Sequence, residues 1–391
     1  MHALSSQRGF TRLSELRIPL QRPGTRGIVT YSLPASSTND GHDAATRKEI
    51  ARRLADLAGL AYDGEYDPLL RYSTPPYFVP SDTLTTDMAL RLGIRGEPDL
   101  FGGVVSHPFM ATKTITHPLV GPNAFAPRGW SRKFARRVSD VVLDGYSAFA
   151  KEDALVAGYR LLDRGAVRIK LASGIAGLGQ FVAESGMDLA RILDAVDPQE
   201  MASSGVVVEE NLIDVVTYSV GQIRVAGIIA TYYGTQRLTT NNEGAQVYGG
   251  SELTVVRGDF DTLLAFCVAD ELRIAIAQAR IYDHAAKVCF RGFFASRRNY
   301  DVAQGAAASG LRRSGVLEQS WRLGGATGAE IGALAALRSD PSLVTVDAMT
   351  REVYGERPVL PKDAAIYFSG VDPRVGPLTK YAWIKPNADT R

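Results

Sequence analysis

Residues 151–212 constrain the fold more tightly than any other stretch. A helical pattern, KEDALVAGYRLLDRG, stops at Gly165. Strand AVRIKLA, loop SGIAGLGQ, helix MDLARILDAV and strand GVVVEENL then follow in close order. Turn residues bracket every element, so the unit reads as a compact α+β lobe. Lys170 stands at the end of its strand, and Gly174, Gly177 and Gly179 come directly after it. A triphosphate needs a point positive charge together with backbone N–H groups that approach closely, which glycine permits because it has no Cβ. A GxxGxG alone favours a glycine-rich surface turn over a phosphate site. The spacing matches neither GxxxxGK[ST] nor a GxGxxG opening a helix, so neither a P-loop nor a dinucleotide fingerprint is indicated.

The flanking segments differ in pattern. Residues 1–25 show little periodicity and read as an extension. From Arg26, a β-branched run (RGIVTYSLPA) precedes a polar loop that ends at Asp43, a good helix cap. Ile50, Leu54 and Leu57 then recur at helical spacing. Further alternation through YFVP, DMALRLGI and FGGVVSHPF predicts a small parallel α/β layer. A connector follows, with HPLVGPNAFAPRGW and a basic helix, SRKFARRVSDVV. Beyond Tyr218, long β-type runs predict antiparallel strands, then one long helix over FDTLLAFCVADELRIAIAQARIYDHAA. Two strands around RRNYDVAQG and SGVLEQSWR lead to the glycine-rich GGATGAE and another helix. Two more candidate strands lie beyond Asp347.

Bulk properties narrow the function. The 391 residues carry a net charge of +2 from 44 basic and 42 acidic side chains, dispersed along the chain. No clustered basic face suits nucleic acid, and the patch Arg132-Lys133 with Arg136-Arg137 reads as a solvated helix face. Cys267 and Cys289 make neither a disulfide framework nor a CxxC zinc site. The N-terminal stretch lacks the apolar run of a signal peptide, and no segment approaches the roughly 18 apolar residues of a membrane span. A cytoplasmic protein without membrane or nucleic-acid partners is the expectation.

Two acidic features complement the lysine and glycines. An apolar strand ends in Glu209 and Glu210, where paired carboxylates face either solvent or a site. Asp301 and Glu318 lie on successive predicted strands, and a hairpin brings them together as hard oxygen ligands for Mg²⁺. Arg298 and Arg322 lie close in sequence, where guanidinium groups neutralise charge on a transferring phosphoryl group; strand-end salt bridges account for the same residues.

This order resembles the ATP-grasp superfamily: a strand lysine, a glycine-rich flap, an acidic hinge, a long helix, then Asp and Glu-x-Asn-x-Arg. D-alanine–D-alanine ligase, biotin carboxylase and glutathione synthetase are familiar members. The chain as a whole resembles an uncharacterised bacterial ATP-grasp-like family, the similarity covering about residues 113–340. The resemblance implies an α+β fold of two ATP-grasp lobes, at 131–215 and 216–391, behind an α/β domain at 26–130. It implies that Lys170 and the 174–179 loop hold the phosphates of ATP, and that Glu209, Glu210, Asn211 and Leu212 form the adenine hinge. Asp301, Glu318 and Ser320 would bind Mg²⁺, with Arg298 and Arg322 catalytic. For the earlier ATP lysine, Lys133 fits the spacing and Lys113 in MATKTITHPL is the rival. Two departures stand out: Ser320 replaces the motif's Asn, and Thr217 stands near the place of the ribose-binding acid.

The implied reaction is ATP-dependent activation of a small-molecule carboxylate for attack by an amine or thiol. Positioning and charge neutralisation carry such chemistry without a side-chain nucleophile. The superfamily's habit of dimerising extends the expectation to a homodimer. A regulatory nucleotide-binding protein that has lost ligation is the alternative, favoured by both departures. His107 and His117, each before a proline, read as local structural residues or as substrate contacts.

Overall fold

The computed structural model describes residues 21–22, 26–33, 41–174, 179–267 and 269–385. In the N-terminal lobe, β1 (Gly27–Tyr31), β2 (Ala61–Glu65) and β3 (Tyr77–Pro80) form a parallel sheet in the order β2-β1-β3. Helix α1 (His42–Ala58) crosses between β1 and β2. It ends at Gly59, whose left-handed φ of 67° turns the chain out of the helix. Its buried stripe includes Ile50, Leu54 and Leu57, the expected periodic residues. The expected cap is corrected. Asp43 lies inside the first turn, and the His42 N–H instead donates to Asp372 Oδ2 at 2.7 Å, from a strand 330 positions away. A Cβ on Gly41 would come within 2.6 Å of that same oxygen, so glycine makes room for the distant cap.

The central lobe is an antiparallel sheet ordered β6-β5-β7-β4: β4 (Gly145–Ala148), β5 (Val167–Leu171), β6 (Gln180–Ala183) and β7 (Val206–Glu210). Val167, Ile169, Val206 and Val208 bury one face against helices at Lys151–Leu162 and Gly186–Asp194. The alternate positions, Lys170 and Glu209 among them, point the other way.

The last lobe is built on eight antiparallel strands: β8 (Ile213–Val225), β9 (Ile228–Thr240), β10 (Gln246–Arg257), β11 (Arg297–Ala306), β12 (Arg312–Ser320), β13 (Thr345–Tyr354), β14 (Ala365–Asp372) and β15 (Gly376–Ile384). Their order is β12-β11-β8-β9-β10-β13-β15-β14. A two-residue turn joins β8 to β9; Ala226 and Gly227 both take positive φ (49° and 77°), the pair a type I′ hairpin demands. The C-terminal region holds three strands rather than the expected two. One sheet face packs Val220, Tyr300 and Val302 on helix α2 (Asp270–Cys289), through Ile276, Ala279 and Tyr282. The other packs Ile223, Tyr232 and Val255 on helix α3 (Thr327–Ser339) and α1. The single long helix expected over 260–286 is two, Phe260–Phe266 and α2. Cys267 and Ala269 both take extended backbone there, with no Gly or Pro to mark the break. Among the described residues no helix is long and apolar enough to cross a membrane.

A buried ion pair fixes α3 to the sheet. Glu330 accepts from Arg297 Nη2 at 2.6 Å and from Nε at 3.0 Å, and both side chains are inaccessible. Removing one member of such a pair strands the other charge in the interior. Glu330→Ala is therefore expected to lower unfolding free energy by about 3–5 kcal/mol, read from urea midpoints. A loss below about 1 kcal/mol would show that the pair does not anchor the helix.

Candidate active site

The crevice between the central sheet and the large sheet gathers two clusters of opposite charges. On the central side, antiparallel pairing sets Lys170 opposite Val207. Glu209, two positions further along, then shares its face. Both side chains are buried, 4% and 1% exposed, and the Lys170 ammonium sits against Glu209 Oε1. The second carboxylate oxygen meets His117 Nε2 at 3.0 Å, while His117 Nδ1 has no hydrogen-bond partner; the Nε2–H tautomer therefore suits this contact. Burial pushes the Glu209 carboxyl up, but Lys170 and His117 outweigh it and hold the group at about 2. Gly145, directly across the sheet from Glu209, keeps the space open. A Cβ there would lie 2.9 Å from Glu209 Cβ and from the His117 ring.

On the other side, the β11–β12 hairpin makes Asp301 and Glu318 direct cross-strand partners, with a register break just after Asp301. Asp301 Oδ1 accepts from Ser219 Oγ and from Asn299 Nδ2, each at 3.0 Å, and Gln236 Nε2 donates in turn to Ser219 Oγ at 3.0 Å. Burial raises the Asp301 carboxyl above its ordinary range, and the charge of Glu318 adds to that. Glu318 remains 37% exposed.

Lys113 joins the two halves. Its Nζ lies 2.9 Å from Glu318 Oε2 and donates to the Gly174 carbonyl at 2.8 Å. The glycine loop and the acidic hairpin thus meet at one ammonium. Gly179, at φ 70°, accepts the Leu171 N–H at 2.9 Å, and its Cβ direction faces the Gly174 Cα at 3.1 Å. Gly177 lies outside the described residues.

The placements change several expectations. Of the rival lysines, Lys113 reaches the loop and Glu318; Lys133 lies exposed on the short helix Arg132–Val138, whose cap is Ser131. Arg298 is corrected. Strand alternation turns it to the opposite face from Asp301, where it meets Glu97, Gln222 Oε1 (3.1 Å) and Asp283 (3.4 Å). Its neighbour Arg297 shares Asp301's face instead. Arg322 faces the N-terminal lobe, with Nε 3.6 Å from Asp82 Oδ1. Ser320 Oγ accepts from Arg297 Nη1 at 3.3 Å. Past Glu209 the hinge residues are engaged: Glu210 Oε1 with Arg313 and the Asp144 N–H, Asn211 Oδ1 with Arg168 at 2.7 Å. Leu212 is buried with Leu143 and Ala303. His107 stacks on Phe109. His117, Ser219, Gln236 and Asn299 belong to the cluster without having been singled out for it. None carries a local motif, and only the fold brings them in.

The donor set for a divalent cation is all oxygen: the carboxylates of Asp301 and Glu318, with the Ser320 hydroxyl beside them. An ammonium already seated on Glu318 shows that the carboxylate is aimed at a cation. These residues fit Mg²⁺.

The buried Glu209 has a consequence for stability against acid. Its folded value of about 2 lies below its ordinary 4.5, so the ionised form stabilises the fold fully above pH 4.5 and ceases to do so as pH falls through 2. Glu209→Gln is expected to be less stable than wild type at pH 6. In urea unfolding the gap should narrow from pH 4.5 downward, by on the order of 3 kcal/mol in total. A gap independent of pH would refute the ionised pair.

Comparison with known proteins follows the same lines. A family model, "Protein of unknown function (DUF3182)", matches residues 30–382. No curated protein sequence matches the chain. Among solved structures, Campylobacter jejuni biotin carboxylase in a β,γ-ATP complex is similar over 91% of this chain and 87% of its own. Its TM-score is 0.50, at 11% identity. Aspergillus clavatus carboxyaminoimidazole ribonucleotide synthase complexed with ATP is similar over 92% and 94%, with TM-score 0.49 and 12% identity. Vibrio cholerae D-alanyl-alanine synthetase A covers 76% and 89%, with TM-score 0.44 and 11% identity. The chain belongs to the DUF3182 family, and its fold is that of the ATP-grasp superfamily.

Proposed function

We propose that the protein binds Mg-ATP in this crevice and activates a small-molecule carboxylate as an acyl phosphate for attack by an amine or thiol. The observation that carries the reading is Lys113, which ties the glycine loop at Gly174 to the paired carboxylates Glu318 and Asp301. Phosphate-binding and metal-binding chemistry therefore meet at one place. The ATP complex of the similar biotin carboxylase supports a nucleotide as the occupant.

On this reading Lys170 and Lys113 give their ammonium groups to the phosphates, and the 174–179 loop contributes backbone N–H groups. Asp301 and Glu318 would hold Mg²⁺, with Ser320 beside them. A cation held by these residues would supply charge neutralisation for the phosphates. Arg322, at the mouth toward the N-terminal lobe, is the guanidinium placed to receive the substrate carboxylate or the transferring phosphoryl group. Glu209 at the hinge orients Lys170, and Leu212 supplies apolar surface near the adenine. A homodimer remains part of the proposal, as does a cytoplasmic location.

A second reading, a nucleotide-binding regulator without ligation, is favoured by one observation. The Ser320 hydroxyl standing at the motif's Asn position is already engaged by Arg297. ADP release that depends on an added carboxylate and amine would exclude it. Mg-ATP binding without turnover across a broad substrate panel would exclude the ligase.

Lys170→Ala and Glu318→Gln are each expected to weaken Mg-ATP binding by about tenfold or more in calorimetric titration, since each removes a charge-assisted contact. Lys133→Ala should leave affinity unchanged. If neither of the first two weakens binding, the site is misplaced.

A further inference from the structure

The motif serine leaves the cation site short of an oxygen, and the neighbouring strand offers one. Asn299 is the cross-strand partner of Ser320 and stands two positions before Asp301, on the same sheet face. Its side chain is buried between two demands. One end of its carboxamide lies 3.0 Å from Asp301 Oδ1, and the other lies 2.9 Å from the Tyr232 hydroxyl.

Counting protons makes the conflict explicit. The Tyr232 hydroxyl also lies 2.7 Å from Glu330 Oε1, and it has one hydrogen to give. A carboxylate is the stronger acceptor, so Glu330 takes it. The phenolic oxygen then offers a lone pair to Asn299. With the amide NH₂ directed at Asp301, two oxygens face each other across 2.9 Å without a proton between them. With the amide reversed, NH₂ donates to Tyr232 and that conflict disappears, but the Asn299 carbonyl then faces Asp301 Oδ1 at 3.0 Å. Two oxygens at that spacing are stabilised by a shared cation. Adjacent corners of an octahedron with metal–oxygen bonds of about 2.1 Å are themselves about 3.0 Å apart. The two ends of a carboxamide have the same shape, so the reversal needs no movement of the backbone.

We infer that Asn299 supplies the oxygen ligand that Ser320 provides poorly, its carboxamide turning its carbonyl to the divalent cation beside Asp301 while Tyr232 receives its NH₂. The inference rests on the Mg-ATP reading. Arg297 contributes indirectly: by donating to Ser320 Oγ it weakens the serine as a ligand.

Mn²⁺ binding to the full chain loaded with ADP, read from the free-ion signal in electron paramagnetic resonance, tests it. Asn299→Leu is expected to weaken Mn²⁺ by about tenfold or more, as loss of an oxygen ligand does, and Asn299→Asp to bind as tightly as wild type or tighter. ADP affinity in the presence of chelator should be the same in all three. Should the leucine variant fail to fold, Asn299→Ser against Asn299→Asp carries the same comparison, with serine the weaker. Equal Mn²⁺ affinity in wild type and Asn299→Leu, or an aspartate variant as weak as leucine or serine, would overturn the role of Asn299 and leave the nucleotide site standing. A wild type that binds ADP but takes up no Mn²⁺ would overturn the cation site and this inference together. Absence of ADP binding would overturn the nucleotide reading on which both rest.

Discussion

Strand Arg297–Ala306 is buried on both faces, and that two-sided burial governs where every charge around it goes. Adjacent arginines leave it in opposite directions. Arg297 meets Glu330 on α3, and Arg298 meets Asp283 on α2 and Glu97 of the N-terminal lobe. Each guanidinium is tolerable in the interior only against its own carboxylate. A slip of one residue would exchange the two faces, leaving both arginines and their three carboxylates mismatched and moving Asp301 away from Glu318. Register is thereby fixed by charge as much as by apolar packing, and the acidic hairpin inherits that precision.

The same burial explains what the sequence reveals and what it withholds. Lys170 with its glycines, and Asp301 with Glu318, are legible because each residue type is conspicuous on a strand and the hairpin spacing brings the acids together. Strand parity is not legible, because a strand buried on both sides shows no alternation of apolar and polar residues. Nothing in the sequence therefore tells that Arg297, and not Arg298, shares the face of Asp301. Lys113 and Lys133 are indistinguishable locally; a contact with Gly174, 61 positions on, separates them. His117 and Asn299 lie outside any motif and gain their neighbours, Glu209 and Tyr232, only when the chain is folded. The cap of α1 by Asp372 likewise depends on a tertiary contact that overrides the local signal of Asp43.

The ion pairs in the crevice bear on the proposed binding of Mg-ATP. Lys170 is held by Glu209 and Lys113 by Glu318, so neither ammonium is buried unpaired. The two pairs differ in kind. Glu209 is almost wholly enclosed and keeps a second contact to His117, so on the proposed reading it would orient the Lys170 ammonium rather than release it. Glu318 is more than a third exposed, and Lys113 has a second partner in the Gly174 carbonyl. On the proposed reading, Lys113 would pass from carboxylate to phosphate and leave Glu318 to the cation. A nucleotide and its metal would replace one ion pair by two, with little change in buried net charge. On that reading, so nearly neutral an exchange would favour an anion and a cation arriving together.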